Sequence, residues 1–305
     1  MKAKLFFSIV ILLQLILISC NEKLDETNVT SNNKGNKLLS YSTNPYDSIG
    51  IIHNEIMAYA VGLIEERVDT INFPYYNYGT NEFKEFSAKV LYDAADSADY
   101  LCPEATTEDY EEIYDEMNLN TWFSSLTNST DQTMDDLFDI ANNILLKKAT
   151  IKDRYYTLNL LIDIKDTYDN YTGEEFFNIA LTKIINHETL ILAENWNENE
   201  KAALVTVAVA KHSCEFWANY FYPENKQKNS DIILTMSGNA EAGIIMFSDV
   251  VGGTVTGITT AAALGKATCG LGTVFGWMWG RAVGAAGASG AAALAIHLGR
   301  LLKFW

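Results

Sequence analysis

The sequence predicts an all-α protein, and three observations support this fold class. Apolar residues recur three and four positions apart through most of residues 44–237, which is the spacing of one helix face. No segment alternates apolar and polar residues for long enough to suggest a half-buried β-strand. The last part of the chain, residues 238–305, contains 14 of the 19 glycines, many of them four positions apart. A four-residue step also keeps these positions on one face of a helix.

Residues 1–19 are predicted to be a signal peptide. Lys2 and Lys4 precede an apolar run that is too short to cross a bilayer comfortably. The run ends in Leu17-Ile18-Ser19-Cys20, which resembles the bacterial lipobox. This resemblance implies cleavage before Cys20 and attachment of membrane lipid to that cysteine.

Residues 20–43 are predicted to form a flexible tether, because they are rich in Asn, Ser, Thr and Lys. Acidic residues follow the cysteine closely, at Glu22, Asp25 and Glu26. This cluster resembles the surface-export signal of Bacteroidetes lipoproteins. The resemblance implies a lipid-anchored protein of the outer membrane that is exposed at the cell surface.

The charge is concentrated in the middle of the chain. The formal net charge is −17, and the signal peptide and residues 238–305 each carry +2, which leaves −21 for residues 20–237. Nucleic-acid binding needs a positive surface, so this charge argues against nucleic acid as a partner. The remaining cysteines, Cys102, Cys214 and Cys269, cannot all pair with one another and have no metal-ligand spacing, so at least one is expected to be a buried thiol.

Residues 44–237 are predicted to form one acidic, all-helical domain. Asn44 is a capping residue and Pro45 suits a first turn, so a helix is expected from about Ser48 to Val68. Its expected apolar face contains Ile52, Ile56, Tyr59 and Leu63. Further helices are predicted at 81–100, 107–117, 131–148, 151–168, 174–193 and 198–221.

The candidate metal motifs are weak. Asp135-Asp136-Leu137-Phe138-Asp139 resembles the magnesium-diphosphate motif of terpene synthases, but the second metal motif of that family is not evident. His187-Glu188 begins like a zinc-protease helix, but Ile191 stands where the second histidine is needed. A solvated acidic helix face is the expected role of the first motif, and we predict no metal site.

The candidate catalytic residues are weak as well. Ser213 lies between His212 and Cys214, but a nucleophile needs a base that is close in space rather than in sequence. His53 is expected to be a partly buried histidine with satisfied hydrogen bonds. We therefore predict a protein that is not an enzyme, with no catalytic or cofactor-binding residues and no cofactor.

Residues 238–305 are predicted to form a glycine-zipper helical hairpin. Its arms, Ala242–Leu264 and Ala267–Ile296, contain one charged residue each, Asp249 and Arg281. Both residues lie equally far from a turn near Gly265-Lys266, so we expect them to form an intramembrane pair if the hairpin spans lipid. Small residues that let two helices approach closely are Gly253, Gly257 and Gly265 in the first arm and at the turn, and Gly272, Gly276, Gly280 and Gly284 in the second.

Two functions agree with this organisation. The first is a non-enzymatic surface lipoprotein whose tail inserts into, or oligomerises at, a membrane, with a bacteriocin-like or toxin-like role as its boldest form. Its partners would be membrane lipid and further copies of the chain as a homo-oligomer. The second is a surface-exposed binding module whose tail is a soluble packed hairpin and whose body contacts a protein or glycan.

Several short motifs resemble signatures of a family of Bacteroidetes lipoproteins. The similar stretches are Asn44-Pro45-Tyr46-Asp47 with Gly50 and His53-Asn54, then Glu200-Lys201 with Val207 to Ser213 and Phe216-Trp217, and last a glycine-rich segment that begins near Asp249. The glycine-rich segment also resembles those of bacteriocin-like and pore-forming peptides, although bulky Phe275, Trp277 and Trp279 interrupt its pattern. The family resemblance implies no established activity.

Overall fold

The structure is a computed structural model. It describes residues 44–70, 89–90, 92–97, 130–196, 202–222 and 239–259. The predicted signal peptide, Cys20, the tether, the helix at 107–117 and the second tail arm with Arg281 lie outside these described residues. The same holds for the predicted packing glycines Gly265, Gly272, Gly276, Gly280 and Gly284.

The described residues are almost entirely helical and contain no β-strand, which confirms the all-α prediction. Residues 89–90 and 92–97 are helical, within the helix predicted at 81–100. The longer helices are α1 (Asp47–Thr70), α2 (Thr130–Lys148), α3 (Ile151–Asn170), α4 (Gly173–Leu192), α5 (Ala202–Phe221) and α6 (Asn239–Thr259).

Helix α5 is the centre of the bundle. It packs against α1, α3, α4 and α6. Its residues from Ala202 to Lys211 are all buried, as are Ser213, Cys214 and Trp217 further along. The first half of α5, Ala202 to Ala210, is apolar on all sides apart from Thr206, and such a segment is stable in water only when other helices cover it, which explains the central position of α5.

Helix α6 belongs to the same core. Every residue from Ala242 to Val255 is buried, and the helix packs against α5, α2, α3 and α4. The first arm of the predicted tail hairpin is therefore a core helix of the body as far as its packing is described. Within the described residues, no helix is both long and apolar enough to cross a membrane.

A buried carboxylate joins the starts of two helices. The Thr150 hydroxyl accepts a hydrogen bond from the Asp153 amide over 3.1 Å and caps α3. Asp153, only 2% exposed, accepts a hydrogen bond from the Ala203 amide over 2.9 Å. The first amides of a helix lack partners within the helix and favour a negative charge. Asp153 of α3 therefore accepts a hydrogen bond from the beginning of α5, although it lies fifty residues earlier in the chain.

The turn between α3 and α4 requires a glycine. Gly173, the first residue of α4, has φ of 65°, in the left-handed region where a β-carbon is strained. The turn brings α3 and α4 together as neighbours, where His187 of α4 lies 2.7 Å from a carboxylate oxygen of Asp163 of α3.

The buried face of α1 differs in part from the expected one. Ile52 and Ile56 are buried as predicted, but the Tyr59 side chain is 40% exposed. The buried stripe continues through Met57, Ala60 and Ile64 instead. Leu63, the last residue of the expected face, is partly buried against the core.

Candidate functional site

The most unusual feature of the core is a group of buried polar residues where α1, α5 and α6 meet. Most of these residues belong to the short motifs that the sequence analysis compared with one family: the beginning of α1, the middle of α5 and Asp249 in α6. They form two neighbouring clusters. One is fully buried around Asp249, and the other, around Lys211, reaches the surface.

The beginning of α1 is attached to α5 by two asparagines. Asn44 is 5% exposed, and its Nδ2 atom donates to the main-chain oxygen of Leu204 over 2.9 Å. Its Oδ1 atom accepts a hydrogen bond from the Tyr46 amide over 3.0 Å, which fixes the turn that enters the helix. Two helical turns later, Nδ2 of Asn54 donates to the main-chain oxygen of His212 over 2.9 Å.

Gly50 lies between these two asparagines at the contact of α1 with α5. A β-carbon at this position would lie 2.4 Å from Cδ2 of His212 and 2.6 Å from the main-chain oxygen of Ala208. Only hydrogen fits in that space. The glycine thus allows α1 to approach α5 closely enough for the asparagine hydrogen bonds to form.

The rim cluster consists of Asp47, Glu188, Lys211, His212 and Glu215 from α1, α4 and α5. The Nζ atom of Lys211 donates to Oδ1 of Asp47 over 2.5 Å and to Oε1 of Glu188 over 3.0 Å. Nε2 of His212 lies 3.0 Å from the same Asp47 oxygen. These side chains are partly buried, with exposed fractions from 9% to 26% for the four that form ion pairs. The cluster holds the first residue of α1 against α4 and α5.

The contacts of the rim cluster shift the proton affinity of its members. Burial alone would raise the pKa of Asp47, but hydrogen bonds from His212 and Lys211 outweigh it and lower the pKa to about 2. Burial would lower the pKa of Lys211, and its bonds to Asp47 and Glu188 instead raise it. The half-buried Glu215 has a raised pKa, mainly because of burial. Lys211 and Asp47 therefore form a strongly paired, charged contact.

The buried cluster centres on Asp249, which is 0% exposed. Its Oδ2 atom accepts hydrogen bonds from the Ser213 hydroxyl and, over 2.6 Å, from Nε1 of Trp217. Its Oδ1 atom lies 3.3 Å from Nε2 of His53, whose side chain is also 0% exposed. This distance suits an ion pair, but the orientation is not that of a directed hydrogen bond, and neither atom has another hydrogen-bond partner.

The buried cluster contains the residue types of a serine hydrolase in a different arrangement. In a catalytic triad, histidine lies between serine and aspartate and takes the serine proton. Here Ser213 donates to Asp249 directly, and His53 approaches the other carboxylate oxygen. All three residues are fully buried, so a substrate has no access to Ser213. The arrangement is therefore a means of holding α6 against α5 and α1.

The predicted site residues that the structure describes lie in α6. Asp249 contacts the body helices α1 and α5, and the predicted pair with Arg281 lies outside the described residues. A β-carbon on Gly253 would lie 3.0 to 3.2 Å from the side-chain carbons of Val209, so this glycine faces α5. Gly257 lies in α6, and the packing around it is not described.

The weak motifs from the sequence have structural roles. Asp135 forms an ion pair with Lys165 over 3.1 Å on the surface. His187 pairs with Asp163, and Glu188 binds Lys211. Among the residues that the structure describes, no group of His, Cys, Asp and Glu has the arrangement of a metal site. Cys214 is a free, buried thiol, as expected for at least one cysteine.

Sequence reasoning did not identify the partners of Asp249. Ser213 and Trp217 are four positions apart on α5, the spacing that places two side chains on one helix face. Two hydrogen-bond donors at that spacing on one face of a buried helix indicate a buried acceptor opposite. Asp249 is the single acidic residue of the apolar stretch of α6 from Ala242 to Thr259, and it is the natural acceptor. Comparisons with protein-family models, with curated proteins and with solved structures gave no match.

Proposed function

We propose that this chain is a non-enzymatic, lipid-anchored surface protein whose helical body is a binding module and whose first tail arm is a structural helix of that body. Of the two functions compatible with the sequence, this is the one that the packing of α6 favours. The lipid anchor rests on Cys20 and the lipobox resemblance.

The burial of α6 is the observation that carries this proposal. The side chains of Ile245, Met246, Phe247, Val250 and Val251 are each 1% exposed or less. Transfer of an apolar side chain of this size out of water contributes about 1.5–3 kcal/mol. Insertion of α6 into a membrane would remove these contacts from the body and expose the facing surfaces of α2 and α5. Insertion of this arm into a membrane would therefore destabilise the body.

The hypothesis of membrane insertion now applies to the second arm, residues 267–296. It has one charged residue, Arg281, in 30 positions and several glycines four apart. It lies outside the described residues, and its insertion and its pairing with Asp249 stay predictions. Insertion of this arm alone would be compatible with a docked α6.

Liposome flotation tests the proposal. The mature protein with Cys20→Ser, which removes the lipid anchor, is mixed with liposomes of phosphatidylethanolamine and phosphatidylglycerol and centrifuged through a gradient. We expect a form that ends at residue 259, which keeps α6 and lacks the second arm, to stay at the bottom, and flotation of this form that resists carbonate would overturn the proposal. Flotation of the longer form alone would indicate that only the second arm inserts. The wild-type protein, expressed with radiolabelled palmitate, should carry the label, and the Cys20→Ser variant should not.

Two truncations separate the roles of the tail arms. Removal of residues 238–305 deletes α6, and we expect the cooperative unfolding transition in far-ultraviolet circular dichroism to be lost. Removal of residues 260–305 keeps α6 and should keep the transition. A body that unfolds cooperatively without α6 would contradict its structural role, since an inserting tail is dispensable for the fold of the body.

A further inference from the structure

The protonation of the His53–Asp249 contact follows from the hydrogen bonds around it. Nδ2 of Asn54 donates to the main-chain oxygen of His212, which can only accept. This contact fixes the Asn54 amide, so that its Oδ1 atom faces Nδ1 of His53 over 3.0 Å. Nδ1 of His53 must therefore carry a hydrogen. In a neutral imidazole the other nitrogen, Nε2, would then have none.

A neutral imidazole would create a conflict between two buried acceptors. Nε2 of His53 and Oδ1 of Asp249 lie 3.3 Å apart, both side chains are 0% exposed, and neither atom has another hydrogen-bond partner. Two lone pairs that face each other without water repel, and each loses the hydrogen bond that it would form in solvent. One additional proton on Nε2 replaces this repulsion by the attraction of opposite charges across 3.3 Å.

The position of this proton follows from the other oxygen of Asp249. Oδ2 accepts hydrogen bonds from Ser213 and Trp217, and such bonds stabilise a carboxylate in its ionised form. We propose that His53 and Asp249 form a buried imidazolium–carboxylate pair that holds one proton, and that this proton makes the docking of α6 dependent on pH. The proposal does not depend on whether the second tail arm enters a membrane.

Within the described part of the chain, the His53–Asp249 pair is not joined by ion pairs to other charged residues. Asp249 is the only titratable residue of α6 from Ala242 to Thr259. Neither His53 nor Asp249 forms an ion pair with any other described residue. The other titratable residues of α1 and α5 along the same stretch are Asp47, Glu55, Lys211, His212, Cys214 and Glu215. Asp47, Lys211 and His212 are paired with one another in the rim cluster, and the Cys214 thiol donates to the main-chain oxygen of Phe177.

The direction of the pH dependence follows from proton counting. A histidine in an unfolded chain loses its proton above a pKa of about 6.5. If the folded protein keeps the proton, folding takes one up at pH 7–9, and stability falls as the pH rises. The folding equilibrium constant should then fall by up to about tenfold for each pH unit in this window. The affected contact is the one that joins α6 to α1.

Selective labelling of histidine with 15N in the full mature chain tests the pair directly. We expect the His53 ring nitrogens to show the chemical shifts of a doubly protonated imidazole at pH 8, where exposed histidines are neutral. A neutral His53 ring at pH 8 would overturn the proposal. The resonance is assigned as the one that disappears in a His53→Gln variant, and no other variant is needed.

Asp249→Asn is the matched variant for the pH dependence. Asparagine can accept from Ser213 and Trp217 with its oxygen and donate to a neutral His53 with its nitrogen, so it replaces the pair without a proton. We expect urea unfolding of the wild-type protein to show the dependence of up to about tenfold per pH unit at pH 7–9, and urea unfolding of Asp249→Asn to lack it. A control, Asp139→Asn, removes an exposed carboxylate that forms none of the described ion pairs and should keep the wild-type dependence. The same slope in wild type and Asp249→Asn would contradict the proposal.

Discussion

Gly50 of α1 and His212 of α5 are in direct contact, with no room for a β-carbon between the two helices. A β-carbon on residue 50 would lie 2.4 Å from Cδ2 of His212 and 2.6 Å from the main-chain oxygen of Ala208. The imidazole cannot move away freely, because its Nε2 atom is held by Asp47 at 3.0 Å. The main-chain oxygen of Ala208 cannot move without a shift of α5.

We expect Gly50→Ala to destabilise the protein by about 1–3 kcal/mol, because overpacking of a close helix contact forces a backbone shift. The rim ion pairs of Asp47 and the hydrogen bond of Asn54 depend on the same approach of α1 to α5. The change is measured as the free energy of unfolding in urea.

Gly62→Ala in the same helix is the control. Apart from its chain neighbours and the nearby backbone of its own helix, no atom lies within 4 Å of a β-carbon at position 62, so alanine meets no obstacle there. Its higher helix propensity should stabilise the protein by up to about 1 kcal/mol. Equal effects of the two substitutions would show that helix propensity, and not the contact with His212, determines the result.

Ser213→Ala should destabilise the protein by about 1–3 kcal/mol, because it removes a hydrogen bond to a buried carboxylate. Asp249 would keep the bond from Trp217 but lose one of its two directed donors. Ser97→Ala removes a serine hydroxyl that is exposed and bonded to the main-chain oxygen of Asp93, and should change stability by about 0.5 kcal/mol or less. Urea unfolding at pH 7 compares the two, and similar losses would contradict a special role for the Asp249 cluster.

Asp47→Asn should reduce stability at neutral pH but not at pH 2. The pKa of Asp47 is about 2 in the folded protein and 3.8 in its ordinary environment, so the folded state favours the ionised form. Its contribution, on the order of 2 kcal/mol, is complete above about pH 4 and is lost as the pH falls towards 2. The measurement is urea unfolding of wild type and variant between pH 2 and pH 6.

Asp139→Asn provides the comparison for Asp47, because Asp139 is exposed and forms none of the ion pairs described here. Its stability should follow the wild-type pH dependence within error. If the difference between wild type and Asp47→Asn stayed constant down to pH 2, the contribution of Asp47 would not come from its ionised form.

The sequence predicts the helices well and their arrangement only in part. Helices α2, α3 and α4 begin and end within about two residues of the predicted bounds, because their apolar positions follow the helical period and their ends carry capping residues or turns. Glycines four apart in α6 indicate a close helix contact, but periodicity does not identify the partner helix. Gly253 faces Val209 of the body, which no local pattern specifies.

The buried polar clusters show a second limit of prediction from a single sequence. Asn44, Asp47 and His53 occur within one short motif at the beginning of α1, and their proximity is evident from the sequence. Their partners are more than 150 residues away, at Leu204, Lys211 and Asp249. Pairing of this kind depends on how the helices cross. A single sequence gives no measure of that crossing, although a lone acid in an apolar helix indicates that a buried partner exists.

Cys214 should not react with thiol reagents in the folded protein. Its side chain is buried, and burial raises the pKa of the thiol far above its ordinary value, so the reactive thiolate is absent. A variant with Cys20→Ser, Cys102→Ser and Cys269→Ser leaves this thiol alone. Titration with Ellman's reagent at pH 8 should give no colour until urea is added, and rapid labelling without urea would contradict the burial of α5.

Gly253→Ala should destabilise the protein less when Val209 is also truncated. A β-carbon on residue 253 would lie 3.0 Å from Cβ of Val209 and 3.1 and 3.2 Å from its two γ-carbons, closer than ordinary contact. We expect a loss of about 1 kcal/mol or more from Gly253→Ala. In Val209→Ala the two γ-carbons are gone and only the β-carbon contact remains, so the same substitution should cost less.

The double-mutant cycle measures this coupling by urea unfolding of wild type, both single variants and the double variant. Residues that touch couple by about 0.5–3 kcal/mol, whereas separate sites add. Strong coupling would show that the glycine face of α6 packs against α5 at this position. Additive effects would indicate that Gly253 does not face Val209 in solution. The small-residue face of the first arm would then be free for the second arm or for another copy of the chain.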